Sequence, residues 1–177
     1  MRLLLESESV SKALGLAAAA HKGQVDKAGE DYIKHPIAVA ERLDTEDEQT
    51  AALLHDIVED TPVTLEDLAN AGFSGRVLHA VCCLTHKYGE TREAYISRIA
   101  EDPLAVRVKL ADLAHNSDLS RMPAPSAKDY ARAERYAKEA AFLMKANKQG
   151  GVSLEEREKA SRLSFCRRPA MGLFGLY

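Results

Sequence analysis

Between residues 51 and 61 the sequence reads Ala-Ala-Leu-Leu-His-Asp-Ile-Val-Glu-Asp-Thr, and four ionisable side chains interrupt an otherwise apolar stretch. On a helix His55 and Glu59 stand four apart, Asp56 and Glu59 three, and Asp56 and Asp60 four, so the group gathers along one side. Three carboxylates beside apolar neighbours repel one another and lose hydration unless a cation lies among them. A divalent metal is the simplest such cation. Two further segments carry metal-type ligands amid apolar sequence, His35 and Asp112. Neutral imidazole with carboxylate oxygen suits borderline to hard divalent ions such as Mn²⁺, Fe²⁺ or Zn²⁺. With His35, His55, Asp56 and Asp112 as ligands, two carboxylates offset the ion's charge, and an octahedral ion keeps positions open for water and substrate, as catalysis requires.

The elements that must position these residues read as helices throughout. Ser9 to Lys22 is rich in Ala and Leu, with Ser9 or Ser11 available as a cap. Gly23 and Gly29 bracket a polar loop, Gln24-Val25-Asp26-Lys27-Ala28, able to approach a ligand closely. Pro36 predicts a helix start with His35 held just outside it. Thr45 and Glu48 form a capping-box pattern, and the helix they open is expected to run through the 51–61 motif until Thr61-Pro62 stops it. Glu59 and Asp60 then fall in its last turn, where the macrodipole disfavours negative charge.

Thr64 with Asp67, Ser74, Thr91 and Asp102-Pro103 open four more helices, the last delivering Lys109, Asp112, His115 and Asn116. Met122-Pro123-Ala124-Pro125 breaks the chain before a charged, Ala-rich helix from Ser126 to about Lys148, closed by Gly150-Gly151. Ser153-Leu154-Glu155-Glu156 has the form of one more capped helix, and Phe165 to Tyr177 has no clear periodicity. The expected fold is all-α, a single bundle of about seven or eight helices over residues 1–150, followed by a C-terminal helix and tail at 151–177.

Composition narrows the function classes. The 177 residues suffice for one domain with a real core. A formal charge of −3 and a pI near 6.1 give no reason to expect a nucleic-acid polymer as partner, although a local basic patch can hold a small phosphate compound. Three cysteines make no disulfide framework, no apolar run reaches membrane-spanning length, and a cytoplasmic protein without membrane attachment is expected. The oligomeric state stays open. His79, Cys83 and His86 have a spacing that can bind Zn²⁺ on one helix face, but three candidates with Cys82-Cys83 as buried core make core packing the better reading. Arg132, Arg135 and Lys138 read as a solvated basic face, His21 as a structural histidine, and His115 either as support for Asp112 or as a packed or substrate-side residue.

The order of an isolated His, a His-Asp pair and a distant Asp resembles the HD phosphohydrolase superfamily. More narrowly, Ala20-His21-Lys22-Gly23-Gln24, Gly29-Glu30-Asp31-Tyr32-Ile33-Lys34-His35-Pro36, His55-Asp56-Ile57-Val58-Glu59-Asp60-Thr61 and Lys109-Leu110-Ala111-Asp112-Leu113-Ala114-His115-Asn116 resemble the hydrolase domain of the RelA/SpoT family. The resemblance spans roughly residues 10 to 145. It implies removal of the 3′-pyrophosphate from the alarmones ppGpp and pppGpp with Mn²⁺ held by His35, His55, Asp56 and Asp112. It implies that Glu59 and Asp60 position or activate the attacking water, that Lys27 and Asn116 contact the nucleotide, and that Lys22 and Lys109 help offset phosphate charge. A chain of this length leaves no room for a synthetase domain, so the expectation is a small stand-alone alarmone hydrolase. Asp26, Lys27 and Ala28 replace the family's basic pair and Ser, and Ser117, Asp118 and Leu119 replace its Met, Arg and Thr. These departures leave two alternatives open: an HD phosphohydrolase for another nucleotide or phosphate ester, and an inactive metal-binding regulatory module.

Overall fold

Helix α3 (Glu46–Leu54) is the strut of the bundle: Gln49, Thr50, Ala51, Ala52, Leu53 and Leu54 are all buried. Its N-terminus is closed by the capping box that the sequence predicts, with Thr45 accepting from the Glu48 amide and Glu48 accepting from the Thr45 amide. The small side chains of Ala51 and Ala52 let neighbours approach from several sides, and α3 packs against α1 (Glu8–Ala20), α2 (Lys34–Ala40), α6 (Gly75–Leu84) and α8 (Pro103–Asn116). Its one buried amide is satisfied, Gln49 donating to the Leu43 carbonyl at 2.9 Å and accepting from the Leu4 amide at 2.7 Å.

This computed structural model describes residues 3–26, 29–122 and 124–149. Lys27, Ala28, Pro123 and the 151–177 segment read as a helix and tail lie outside the described residues. The remaining elements are α4 (Ile57–Asp60), α5 (Leu65–Asn70), α7 (Arg92–Ile99), a 3₁₀ turn at Leu119–Arg121 and the long α9 (Ala127–Gln149). The all-α expectation holds, with an isolated Val25–Asp31 bridge and no strand among the described residues. No described helix is long and apolar enough to cross a membrane.

Three local expectations change. Ser7, not Ser9 or Ser11, caps α1 by accepting from the Val10 amide. His35 lies inside α2 as its second residue, because the helix begins two residues before Pro36 and His35 donates its amide to Tyr32. The helix expected through 51–61 is broken: His55 and Asp56 form a turn, and a separate single turn, α4, follows. The Asp56 carbonyl, accepting from the Glu59 and Asp60 amides at 3.1 and 2.9 Å, starts that new turn. Periodicity alone does not reveal the break, since every residue type across it tolerates a helix.

The region beside the site depends on Arg98. Helix α6 has no basic residue in its last turn. Arg98, from α7, supplies the missing charge, donating to the carbonyls of Cys82, Cys83 and Thr85 at 2.9–3.1 Å and to Glu90 at 2.6 and 2.8 Å. Tyr95 adds a hydrogen bond to the Leu84 carbonyl at 2.6 Å. The loop from 85 to 90 is thereby tied down at both ends.

Hydrogen bonding to Arg98 holds the Glu90 carboxyl down at about 2 against an ordinary 4.5. The stabilisation is therefore present above pH 4.5 and lost as the pH falls toward 2. Arg98→Ala should cost about 3 kcal/mol at neutral pH, measured by urea denaturation. Glu90→Gln should flatten the pH dependence of stability between pH 5 and 3.

Candidate functional site

Three separate stretches of chain meet at one point. Helix α2 carries His35, the turn between α3 and α4 carries His55 and Asp56, and α8 carries Asp112. One ligand atom from each of His35, His55 and Asp56 lies within 4.8 Å of the other two, the metal-capable grouping found among the described residues. Asp112 completes it, with Oδ1 3.3 Å from His35 Nε2 and 3.9 Å from His55 Nε2. Asp56 Oδ2 lies 3.6 Å from His35 Nε2 and 3.1 Å from His55 Nε2. The four residues singled out as ligands in the sequence therefore converge through these atoms.

The hydrogen bonds show what the cluster is built to receive. His55 is 2 % exposed, its Nδ1 is 2.7 Å from the Ala52 carbonyl, and its Nε2 has no hydrogen-bond partner. A carbonyl can only accept, so the ring proton is on Nδ1 and a buried lone pair on Nε2 faces two carboxylates. That arrangement is repulsive unless a cation stands between them, and these donors fit a borderline divalent ion. Without a metal the cation is a proton: burial opposes a charged ring, but Asp56 and then Asp112 outweigh it and lift His55 to about 9.

Asp112 is buried, which works against its charge, yet Lys109, His35 and His55 hold its carboxyl well below the usual range. Lys109 donates to Asp112 Oδ2 at 2.8 Å and Asn116 to Oδ1 at 2.5 Å. Lys109 is itself buried, with its ammonium 5.3 Å from the Tyr95 ring centroid, so its first partner is this carboxylate. Asn116 likewise contacts Asp112. Lys22 is exposed after α1 and is absent from the wall of the cavity described below.

Glu59 and Asp60 lie on α4, and neither is among the residues that line the cavity described below. Glu59 Oε2 accepts from the His86 amide at 2.9 Å, in the loop that Arg98 secures. Asp60 Oδ2 accepts from Tyr32 at 3.2 Å, and its carbonyl accepts from Gln24 at 3.1 Å. Partial desolvation, then the Asp56 charge, keep the Asp60 carboxyl above the usual range. Tyr32, which the sequence reading passed over, shares its single phenol proton between Asp60 and the nearer Asp56 Oδ2, at 2.5 Å, and so joins the cluster to Asp60. Burial and these two carboxylates hold its phenol protonated far above pH 10. Its position one helical turn before His35 is the signal in the sequence.

A cavity of about 410 Å³ opens onto the cluster. His35, Asp56, Asp112, Lys109 and Asn116 line its inner end, and Val25, Asp26, Asp118 and Met122 contribute walls. Helix α9 closes another side with Arg132 and Tyr136. This corrects the reading of Arg132 as part of a solvated face: its side chain is 21 % exposed and donates to Asp129 at 2.6 Å. Arg135 and Lys138 do point to solvent. His79, Cys83 and His86 do not form a joint site, since His79 contacts Cys83 while His86 packs against Tyr95.

Comparison with known proteins gives a consistent result. The HD domain family matches residues 13–139. A probable GTP pyrophosphokinase of Mycobacterium leprae is 38% identical over 129 residues, 66% of this chain and 16% of that protein. A guanosine-3′,5′-bis(diphosphate) 3′-pyrophosphohydrolase of Vibrio cholerae is 37% identical over 125 residues, 62% of this chain and 17% of that protein. The matched segment is thus a small part of these curated relatives. A solved structure described as a metazoan ortholog of SpoT that hydrolyzes ppGpp superposes with a TM-score of 0.65 at 25% identity, covering 88% of this chain and 94% of the other.

Mn²⁺ or Zn²⁺ at about a hundred times its dissociation constant should raise the melting temperature by roughly 5–10 °C. Chelation should reverse the shift. His55→Ala and Asp112→Ala should abolish it, and His79→Ala, outside the cluster, should retain it. Since the metal displaces the His55 proton held up to about 9, the shift should be larger at pH 8 than at pH 6.

Proposed function

Given that the chain belongs to the HD domain family, we propose that it is a Mn²⁺-dependent hydrolase that removes the 3′-pyrophosphate of ppGpp or pppGpp. The products are GDP or GTP and pyrophosphate. The observation that carries the reading is the orphaned His55 Nε2 among Asp56, Asp112 and His35, all three of which line a cavity. Likeness across nearly the whole of a structure described as hydrolyzing ppGpp supports the choice of substrate.

His35, His55, Asp56 and Asp112 would hold the metal. When bound, it polarises the phosphoryl oxygens and lowers the pKa of a coordinated water. The protein's own groups do the rest. Asp60, its carboxyl raised by desolvation and by Asp56, is suited to accept the proton of the attacking water. Tyr32 remains a donor at every physiological pH and keeps Asp60 oriented toward Asp56. Glu59, fixed by the His86 amide, supplies a second acceptor for aligning the water. The water oxygen joins the phosphorus next to the ribose, the bond from that phosphorus to the 3′-oxygen breaks, and a proton returns to the 3′-oxygen. Arg132 and Asn116 line the cavity where the nucleotide's phosphates and sugar need donors, and Lys109 counters negative charge there through Asp112. Lys27 and Lys22, which flank Gly23 to Asp26 in the sequence, are the further phosphate contacts proposed.

One observation favours a second reading. Asp26 and Asp118 both line the cavity, and a carboxylate pair there suits a substrate with a donor-rich edge or fewer phosphates than an alarmone. That reading is an HD phosphohydrolase for another nucleotide or phosphate ester.

The test is turnover by the Mn²⁺-loaded protein on ppGpp beside a panel of nucleotides. Release of GDP and pyrophosphate from ppGpp is expected, with Asp56→Ala lowering kcat/KM by at least about 1,000-fold and Tyr32→Phe lowering kcat by roughly 10-fold. Turnover confined to other nucleotides would move the assignment to the second reading, and metal-replete protein inert on all of them would refute both.

A further inference from the structure

His115 stands one turn beyond Asp112 on α8, buried at 5 % exposure. Its Nδ1 lies 2.8 Å from Nδ1 of His35, with the two ring centroids 4.9 Å apart. Two ring nitrogens share a hydrogen bond only when one carries the proton and the other presents a lone pair. His35 Nε2 faces Asp112 Oδ1 and Asp56 Oδ2 at 3.3 and 3.6 Å, the point assigned to the metal, so there it must present a lone pair. The proton of a neutral His35 is then on Nδ1, and the acceptor has to be His115.

We propose that His115 is a positioning residue for the metal: held as the Nε2–H tautomer, it accepts the Nδ1–H of His35 and so fixes that ligand's tautomer and ring plane. The inference rests on the reading of His35 as a metal ligand. It explains a difference between the two histidine ligands. His55 is oriented by a backbone carbonyl, which can only accept, so its tautomer follows from the fold. His35 is oriented by an imidazole, which can accept or donate, so its tautomer depends on the identity of one side chain eighty residues away. A partner that orients a metal-bound histidine typically accounts for 10- to 100-fold in metal affinity.

Calorimetric titration with Mn²⁺ and with Zn²⁺ tests this on the full chain. His115→Ala should bind each ion about 10- to 100-fold more weakly than the wild type, with the melting temperature of the metal-free protein recorded alongside. His115→Asn, whose Oδ1 takes the place of Nδ1 and can only accept in that position, should recover most of the affinity. The long-range proton–nitrogen spectrum of the Zn²⁺-loaded wild type should show His115 as the Nε2–H tautomer and His35 as Nδ1–H, a readout that stands even if the alanine variant fails to fold. Wild-type affinity in His115→Ala, an Asn variant no better than Ala, or a proton on His115 Nδ1 would each overturn the proposal. A wild type that binds neither ion would overturn the metal reading itself, and is distinguished by that result.

Discussion

Two carboxylates and two imidazole lone pairs point at one place in a nearly dry interior, and the nearest described ammonium, that of Lys109, bonds the outer oxygen of Asp112. The rest of the structure follows from this crowding. Away from water, an imidazole lone pair 3.1–3.9 Å from a carboxylate oxygen is repelled unless a proton or metal ion lies between them, and desolvation adds to the cost. A cation at the centre reverses the sign of every interaction there. Without it, a proton on His55 does part of the work.

The protein compensates around the edge of the cluster rather than at its centre. Lys109 and Asn116 take lone pairs of Asp112, Tyr32 takes one of Asp56, and a backbone carbonyl and His115 engage the outer nitrogens of the two histidine rings. The bonds to the two rings leave both Nε2 atoms facing inward and Lys109 takes the outer Asp112 oxygen, whereas Asn116 bonds Asp112 Oδ1 and Tyr32 bonds Asp56 Oδ2, the oxygens that face the histidines. Farther out, Arg98 ties the end of α6 and the loop after it, that loop's amide holds Glu59, and Gln24 and Tyr32 hold Asp60. The acids proposed to handle water are thus placed by groups that make no contact with a metal.

The cavity's outer walls have a different character. Arg132 and Tyr136 come from α9, Asp26 from the loop closed by the Val25–Asp31 bridge, and Asp118 from the turn after α8. One basic side chain, Arg132, and two acidic ones, Asp26 and Asp118, thus share a cavity whose inner end holds Asp56 and Asp112. In the proposed reaction the chemistry would belong to the floor, and discrimination among substrates to the walls, where Asp26 and Asp118 lie.

What could be read from the sequence was whatever depends on neighbours along the chain. Caps at Thr45, Thr64, Ser74, Thr91 and Asp102 set helix starts, because a side chain three residues from an amide satisfies it wherever the helix lies. The ligand types at His35, His55, Asp56 and Asp112 were legible because ionisable groups amid apolar residues demand a partner. Tertiary packing decided the rest. It broke the helix at His55-Asp56, where both side chains turn inward toward His35 on α2 and Asp112 on α8. It also brought Arg132 from an apparently solvated face to the cavity wall, paired His115 with His35, and set Tyr32 between two acids. The contacts of His35 with Asp56 and His115 join residues 21 and 80 positions apart, and only the packing angles of α2, α8 and α9 determine which side of each helix meets the site.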